Sequence, residues 1–128
     1  MQVIRWLLVL VILVHVGSLF SHWIEFPETG VEVGGFYATG KHLYGQPGWL
    51  HLVPAAILLI LVLIGRDWSK AAAFFTAIFI LVWSVVHFIN FSACVGPQCP
   101  ERGDALFMML ATGILMPLLV LFLGRSRK

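Results

Sequence analysis

The residues of this sequence whose chemistry reaches beyond packing are its histidines and cysteines. Imidazole and thiol groups can bind metals, hold cofactors, or transfer protons and electrons. All of them fall toward one side of a predicted bundle of four membrane helices, which indicates a polar, ligand-binding layer near one membrane face. The seven residues are His15, His22, His42, His51, His87, Cys94 and Cys99.

One interpretation of the histidines is a redox site. Two histidines from different helices can ligate a b-type haem within a four-helix bundle. His15 or His22 on helix 1, together with His87 on helix 3, is the natural axial pair. A quinone could use the same pocket through hydrogen bonds to histidine. No Cys-x-x-Cys-His attachment motif is present and haem b sites have no short signature, so the sequence leaves the cofactor open.

A metal site is a second interpretation. Three histidines are expected to share one level just inside the outer membrane face, where methionine would be a soft fourth ligand for copper. A carboxylate in the fourth position would suit zinc instead. The candidate ligands are His22, His51, His87, Met108 and Met109, with Asp104 or Glu25 as the carboxylate alternative.

The third interpretation needs no ligand: polar side chains hydrogen-bond between helices and fix their packing, at about 0.6 kcal/mol for each contact. His15 has the strongest need for such a partner, since it is predicted to lie about 10 Å deeper than His22, near the middle of the bilayer. His42 falls in a loop and is expected to be solvated. The predicted inward stripes are His15, Ser18 and His22 on helix 1; Thr76, Ser84, His87 and Asn90 on helix 3; and Met109, Thr112 and Met116 on helix 4.

The two cysteines enclose a Gly-Pro turn in the segment 94–99. Two thiols held so close together on the oxidising side of a membrane should form a disulfide, and a Cys94–Cys99 bond would stiffen the link between helices 3 and 4. A catalytic dithiol is the alternative, although the Cys-x-x-Cys spacing of redox thiols is absent.

The elements that must position these residues are membrane helices. The chain is 60% hydrophobic and only 11% charged, which is too apolar for an ordinary soluble core. Four apolar runs, each about as long as a membrane-spanning helix, predict an all-α bundle of four transmembrane helices in a single domain. The N-terminal run resembles a signal peptide, but it is longer than a typical apolar h-region and lacks a good cleavage site. The predicted spans are 3–23, 48–64, 71–91 and 105–123.

Basic residues near the helix ends predict the orientation, because Lys and Arg are retained on the cytoplasmic side. Both termini are therefore expected to be cytoplasmic in a bacterial-type inner membrane, with the segments 24–47 and 92–104 facing outward. The net charge of +2 follows from this arrangement and implies no nucleic-acid partner. The inner group is Arg5, Arg66, Lys70, Arg125, Arg127 and Lys128, against Lys41 and Arg102 outside.

The Gly-rich outer loop between helices 1 and 2 contains short β-favouring pieces, at 31–33 and 36–37, that predict a small hairpin or cap on the bundle. Several aromatic residues near this loop are expected to lie at headgroup level as interfacial anchors. Pro54 and Pro117 fall inside predicted helices and are expected to kink them. The expected anchors are Trp23, Phe26, Tyr37, Tyr44 and Trp49.

No nucleophile–base pair, phosphate loop or acid pair appears in the sequence. The leading hypothesis is therefore a non-enzymatic accessory or scaffold protein of the membrane, as a subunit of a larger complex or as a homo-oligomer. The alternatives are haem or quinone binding in electron transfer, and then copper or zinc binding at the outer face.

The four-helix plan with its outward pair, Cys94 and Cys99, resembles the quinone-linked membrane thiol oxidases, and the length of the chain is similar to that of the DoxX-like group. Those oxidases use at least two cysteine pairs, one of them with redox spacing, whereas this sequence has one pair. The resemblance therefore transfers no functional residue to this chain.

Overall fold

Four helices form where the apolar runs predict them, and helix accounts for 71% of the described residues. The structure, a computed structural model, describes residues 2–36, 46–94 and 96–125. His42, Tyr37 and Tyr44 lie outside these ranges, as do Lys41, Arg127 and Lys128. The elements are α1 (Gln2–Ser18), β1 (His22–Phe26), β2 (Val31–Gly34), α2 (Trp49–Ile64), α3 (Asp67–Ser92), β3 (Glu101–Arg102) and α4 (Asp104–Arg125).

Two of the described helices, α3 and α4, are long and apolar enough to cross a membrane. The other two are apolar but shorter, with 17 residues in α1 and 16 in α2. Pro54 and Pro117 lie inside α2 and α4, where the sequence places them.

The helices pack in a ring in which each contacts the next along the chain and α4 contacts α1. Their interior contains one apolar cluster, formed by all four helices and including Leu8, Leu58, Ile80 and Met116. A second cluster lies at the end of the ring that carries the strands and contains Leu19, Trp23, Phe91 and Met109. The candidate site lies between these two clusters.

A three-stranded antiparallel sheet covers one end of the helices, in the order β2-β1-β3. Ile24 on β1 pairs with Val33 on one side and with Arg102 on the other. The cap predicted for the outer loop is therefore present, but its second strand is 31–34 and its third comes from the loop between α3 and α4.

The first helix is shorter than predicted, and this moves His22. The span was expected to continue to residue 23, whereas α1 ends at Ser18 and His22 begins β1. The helix ends in a 3₁₀ turn, in which the Leu19 N–H donates to the Val16 carbonyl and the Phe20 N–H donates to the Gly17 carbonyl. The strand-favouring residues His22–Phe26 then form β1 and pair with β2. This pairing satisfies backbone N–H and C=O groups that would have no hydrogen-bond partner at a frayed helix end.

Two of the aromatic residues expected as membrane anchors are core residues instead. Trp23 is fully buried and Phe26 is 6% exposed, since the sheet turns both side chains toward the helices. Trp49 is 53% exposed, as an anchor requires. The Trp23 indole Nε1 donates a hydrogen bond of 2.9 Å to the carbonyl oxygen of Ser18, which satisfies one of the last carbonyls of α1.

The disulfide prediction is confirmed. The sulfur atoms of Cys94 and Cys99 are bonded, with their Cα atoms 4.1 Å apart, in the loop that joins α3 to β3. No free cysteine is present among the described residues. The pair therefore closes a small ring on the same end of the molecule as the sheet.

Candidate functional site

One polar side chain from each of the four helices joins a continuous hydrogen-bonded chain across the interior. Thr112 Oγ1 lies 2.7 Å from His15 Nδ1, and His15 Nε2 lies 3.1 Å from His51 Nδ1. His51 Nε2 in turn lies 2.7 Å from His87 Nδ1. The chain runs through α4, α1, α2 and α3, which are consecutive neighbours in the ring, and we call it the histidine chain.

The threonine sets the direction of the histidine chain. Thr112 Oγ1 is within 2.7 Å of the Met108 carbonyl oxygen and 3.1 Å of that of Met109, so its hydroxyl donates to the backbone. It must then accept from His15, which places the His15 proton on Nδ1. His15 Nε2 becomes an acceptor for His51 Nδ1–H, and His51 Nε2 an acceptor for His87 Nδ1–H. With three neutral rings, this order places the proton of each histidine on Nδ1.

Aromatic rings lie against His51 and His87 of the histidine chain. The ring centroids of Trp23 lie 6.0 Å from His51 and 6.1 Å from His87. Trp83 and Phe91, one turn before and one turn after His87 on α3, lie 5.3 Å and 6.0 Å from that ring. All three histidines are buried. The imidazoles thus occupy a water-poor layer, in which each hydrogen bond is costly to lose.

Helix ends explain why these histidines share a level. His51 lies in the first turn of α2, His15 in the last turn of α1, and His87 within two turns of the end of α3. His15 was predicted to lie about 10 Å deeper than His22, His51 and His87, but its bond to His51 places it at the level of His51 and His87. Its need for a partner was correctly predicted, but its level relative to His51 and His87 was not.

The predicted inward stripes are confirmed for most of their members. Met109, Thr112 and Met116 are buried on one face of α4, and Ser84 and His87 are buried on α3. Three members are exceptions: Asn90 and His22 are exposed near the sheet, and Thr76 is half-buried farther along α3. Met108 is also exposed, so the two adjacent methionines point to different surroundings.

The metal interpretation grouped His22 with His51 and His87, but the structure brings His15 to them instead. His51 uses opposite ring nitrogens for its two neighbours, so the three imidazoles do not converge on one point. Within the described ranges, no group of three or more histidine, cysteine or acidic residues is arranged to hold a metal ion. Metal binding by His22, His51, His87, Met108 and Met109 stays a prediction that would require the rings to rotate.

The haem interpretation meets a related obstacle. The proposed axial ligands His15 and His87 are both in the histidine chain, but the His51 imidazole lies between them and hydrogen-bonds to each. A porphyrin plane would need that space. Haem or quinone binding through His15, His22 and His87 stays a prediction, and it requires His51 to move away first.

His22 belongs to a different feature, a groove between the end of α1 and the start of α4, next to the sheet. The groove has a volume of about 670 Å³ and combines small or apolar residues with charged ones. Ser18, which donates a hydrogen bond to the His15 carbonyl, lines it as well. Sequence reasoning missed this groove, because its two walls come from residues about 85 positions apart.

No protein-family model, curated protein or solved structure matches this chain.

Proposed function

We propose that the chain is a small integral membrane protein of four spanning helices that serves as a non-catalytic accessory or scaffold subunit in a larger membrane complex. The observation that carries the proposal is an inside-out distribution of polarity. Histidine, serine and threonine are buried in the interior, while large apolar side chains cover the outside of every helix. Such a surface is expected to face lipid or other membrane helices.

The exposed apolar residues are too many for a water-soluble chain of this size. Val3 is 78% exposed and Phe75 is 73% exposed, and side chains of this kind recur along all four helices. Soluble proteins rarely expose contiguous apolar patches of more than a few hundred Å². A hydrocarbon environment removes the cost of this exposure.

The distribution of charged residues supports one orientation of the molecule in the membrane. The side chain of Arg5 lies next to Gly65, and Lys70 and Arg125 line one shallow groove, so these basic residues share the end opposite the sheet. The helical segments between the two ends contain no Asp, Glu, Lys or Arg. This supports four spans with the basic end on the cytoplasmic side of an inner membrane. The sheet end contains Glu25, Glu28, Glu32, Glu101, Arg102 and Asp104.

The histidine chain supports a structural role for the interior. Three consecutive side-chain hydrogen bonds join α4 to α1, α1 to α2 and α2 to α3. The histidine chain therefore links all four helices at one level. Both nitrogens of His15 and of His51 are used in these bonds. A satisfied network of this kind rigidifies a bundle without any ligand.

A second function, proton relay, is favoured by the head-to-tail order of the imidazoles. A proton bound at the Nε2 of His87 makes that ring cationic; transfer of the His87 Nδ1 proton to His51 Nε2, and of the His51 Nδ1 proton to His15 Nε2, would move the positive charge to His15 and leave His87 and His51 neutral with their protons on Nε2. Such a relay would serve a redox partner in the same complex. It predicts that exchange of the His15 ring proton with water slows in a His51→Phe variant, whereas a purely structural chain predicts no slowing.

Membrane integration and orientation can be measured with single cysteines. In a Cys94→Ser/Cys99→Ser background, Glu28→Cys places a thiol at the sheet end and Arg66→Cys one at the basic end; both positions are exposed. In intact bacterial cells, an impermeant maleimide should label only Glu28→Cys, and Arg66→Cys should react after permeabilisation. The protein should stay in the membrane during alkaline carbonate extraction. Release by carbonate, or the reverse labelling pattern, contradicts the proposal.

The non-catalytic, cofactor-free role has its own measurement. Protein purified in mild detergent should show no Soret band and no stoichiometric Fe, Cu or Zn. A Soret band that His87→Ala abolishes would establish the haem alternative and overturn the structural role of the histidine chain. Photo-crosslinkers at Phe75 and Phe122, which are exposed on α3 and α4, should capture a defined membrane protein rather than lipid alone.

A further inference from the structure

The groove between α1 and α4 is the most distinctive feature that the histidine chain leaves unexplained. Its volume of about 670 Å³ lies within the usual size of small-ligand sites. It lies at the level where α1 ends and α4 begins, next to β1 and β3. Its lining includes Val14, Gly17, Ser21, His22, Arg102 and Asp104.

Polarity changes along the depth of the groove. The part of the groove that the helices form is lined by apolar or small residues, with Val14 and Gly17 on α1 opposite Ala105 and Met108 on α4. The rim at the sheet end is polar and carries one positive and one negative side chain. An occupant must therefore be amphiphilic, with its polar part at the outer surface and its apolar part along the helices.

The positive side chain of the rim, Arg102, lies beside two aromatic rings. The guanidinium carbon of Arg102 lies 5.8 Å from the ring centroid of Phe107 and 6.0 Å from that of Phe88. These two rings contact each other at 5.5 Å. A guanidinium held in this way keeps N–H groups free for an anion, because the aromatic contact uses no hydrogen-bond donor.

The rim depends on a close approach of two backbones. Gly103 N donates a hydrogen bond of 2.7 Å to the carbonyl oxygen of Trp23. A Cβ on Gly103 would lie 2.9 Å from the His22 carbonyl oxygen, so only glycine allows this contact. The bond fixes Arg102 and Asp104, one on either side of Gly103, against β1.

We propose that this groove binds one zwitterionic aminophospholipid from the outer leaflet. The inference rests on the proposed membrane location. The phosphate would bind Arg102, the ammonium would bind Asp104, and one acyl chain would lie along Val14 and Gly17. Within the described residues Arg102 and Asp104 form no ion pair with each other, so a headgroup carrying both charges complements the rim. A purely anionic headgroup would leave Asp104 unpaired beside a second negative charge.

Gly17 offers a way to fill the groove without disturbing the fold. A Cβ at Gly17 meets nothing within 4 Å, so a larger side chain would project into the groove. Gly124 is also helical and equally open, but it belongs to the opposite end of α4. Gly17→Leu is therefore the test variant and Gly124→Leu its matched control.

The experiment is native mass spectrometry of the full chain released from nanodiscs of defined composition. From phosphatidylethanolamine mixed with phosphatidylglycerol, the wild type and Gly124→Leu should retain one phosphatidylethanolamine per chain. Gly17→Leu should reduce the retained fraction by about tenfold. Arg102→Gln and Asp104→Asn should each reduce it by a similar factor, since each removes one charge-assisted contact. Replacing phosphatidylethanolamine by phosphatidylcholine should reduce retention, because a quaternary ammonium cannot donate hydrogen bonds to Asp104.

Three outcomes would overturn the lipid site: equal retention of phosphatidylglycerol, no loss of lipid in Gly17→Leu, or a dimer of the chain that Gly17→Leu dissociates. The last outcome would assign the groove to a second copy. A chain that stays in the membrane but retains no lipid contradicts this inference alone, whereas release by carbonate contradicts the proposed function itself.

Discussion

Thr112 accepts a hydrogen bond of 2.7 Å from His15 while it donates its own proton to the Met108 carbonyl oxygen. This relationship orders the protons of the histidine chain, since an accepting hydroxyl leaves His15 only one tautomer that can bond to both neighbours. A residue with no titratable group thus determines where the protons of three histidines lie.

The first prediction concerns these tautomers. In ¹⁵N NMR spectra of the protein near neutral pH, His15, His51 and His87 should all be neutral with the proton on Nδ1. Thr112→Val removes the acceptor at the His15 end, and a buried donor without a partner costs about 1–3 kcal/mol. The direction of the hydrogen bonds in the histidine chain should then reverse, with the proton of each histidine on Nε2. A proton on Nε2 of His51 in the wild type would contradict the direction assigned here.

The matched control is Thr76→Val. Thr76 makes the same kind of bond, from its hydroxyl to the carbonyl of Ala72 one turn earlier, but it lies outside the histidine chain. This variant should leave all three tautomers unchanged. A change in them would mean that valine in any helix disturbs the interior, and not that Thr112 sets the direction.

The second prediction concerns the central histidine. His51→Leu removes two hydrogen bonds and leaves His15 and His87 without their shared partner. The free energy of unfolding, measured by titration with denaturing detergent, should fall by about 2–4 kcal/mol. His22→Leu is the control, since an exposed residue away from the core is expected to change stability by about 0.5 kcal/mol or less. Equal effects of the two variants would show that the histidine chain adds nothing to stability.

Much of the fold follows from periodicity and composition. The four apolar runs predicted the helices, and their inward stripes predicted the buried faces of α3 and α4. The end of α1 was not predictable in the same way. His22 continues the helical stripe of His15 and Ser18, and only pairing with residues 31–34 and 101–102 makes it part of a strand. The pairing with residues 31–34 is local, whereas Ile24 and Arg102 are 78 positions apart, and a contact so distant leaves no signal in a single sequence.

The candidate site was also predictable from the sequence only in part. The sequence identified His15, His51 and His87 as polar residues that need partners, but it placed His51 and His87 at one level and His15 about 10 Å deeper. The depth of His15 was counted as seven helical residues below His22, but α1 ends at Ser18, so the last four of those residues are not helical. Thr112 was recognised as inward-facing, although its role as an acceptor depends on the rotation of α4 against α1.

The third prediction tests the packing of the one pair of neighbouring helices that the histidine chain does not join. A Cβ on Gly113 in α4 would collide with the side chain of Ser84 in α3. Gly113→Ala should therefore lower the free energy of unfolding by about 1–3 kcal/mol. Ser84→Gly removes the colliding atoms, so the double variant should be more stable than Gly113→Ala alone. Strict additivity in this cycle would contradict the close contact.

The last prediction concerns the disulfide. Because the ring between Cys94 and Cys99 is small, the loss of the bond should lower the free energy of unfolding by only about 2 kcal/mol, less than a long loop would give. Its position next to β3 suggests a local effect. In a Cys94→Ser/Cys99→Ser variant, amide hydrogen exchange should accelerate around Glu101 and Arg102, and the tautomers of the histidine chain should not change. Altered tautomers would show that the loop between α3 and β3 positions the histidine chain, and that the sheet and the buried histidines form one cooperative unit.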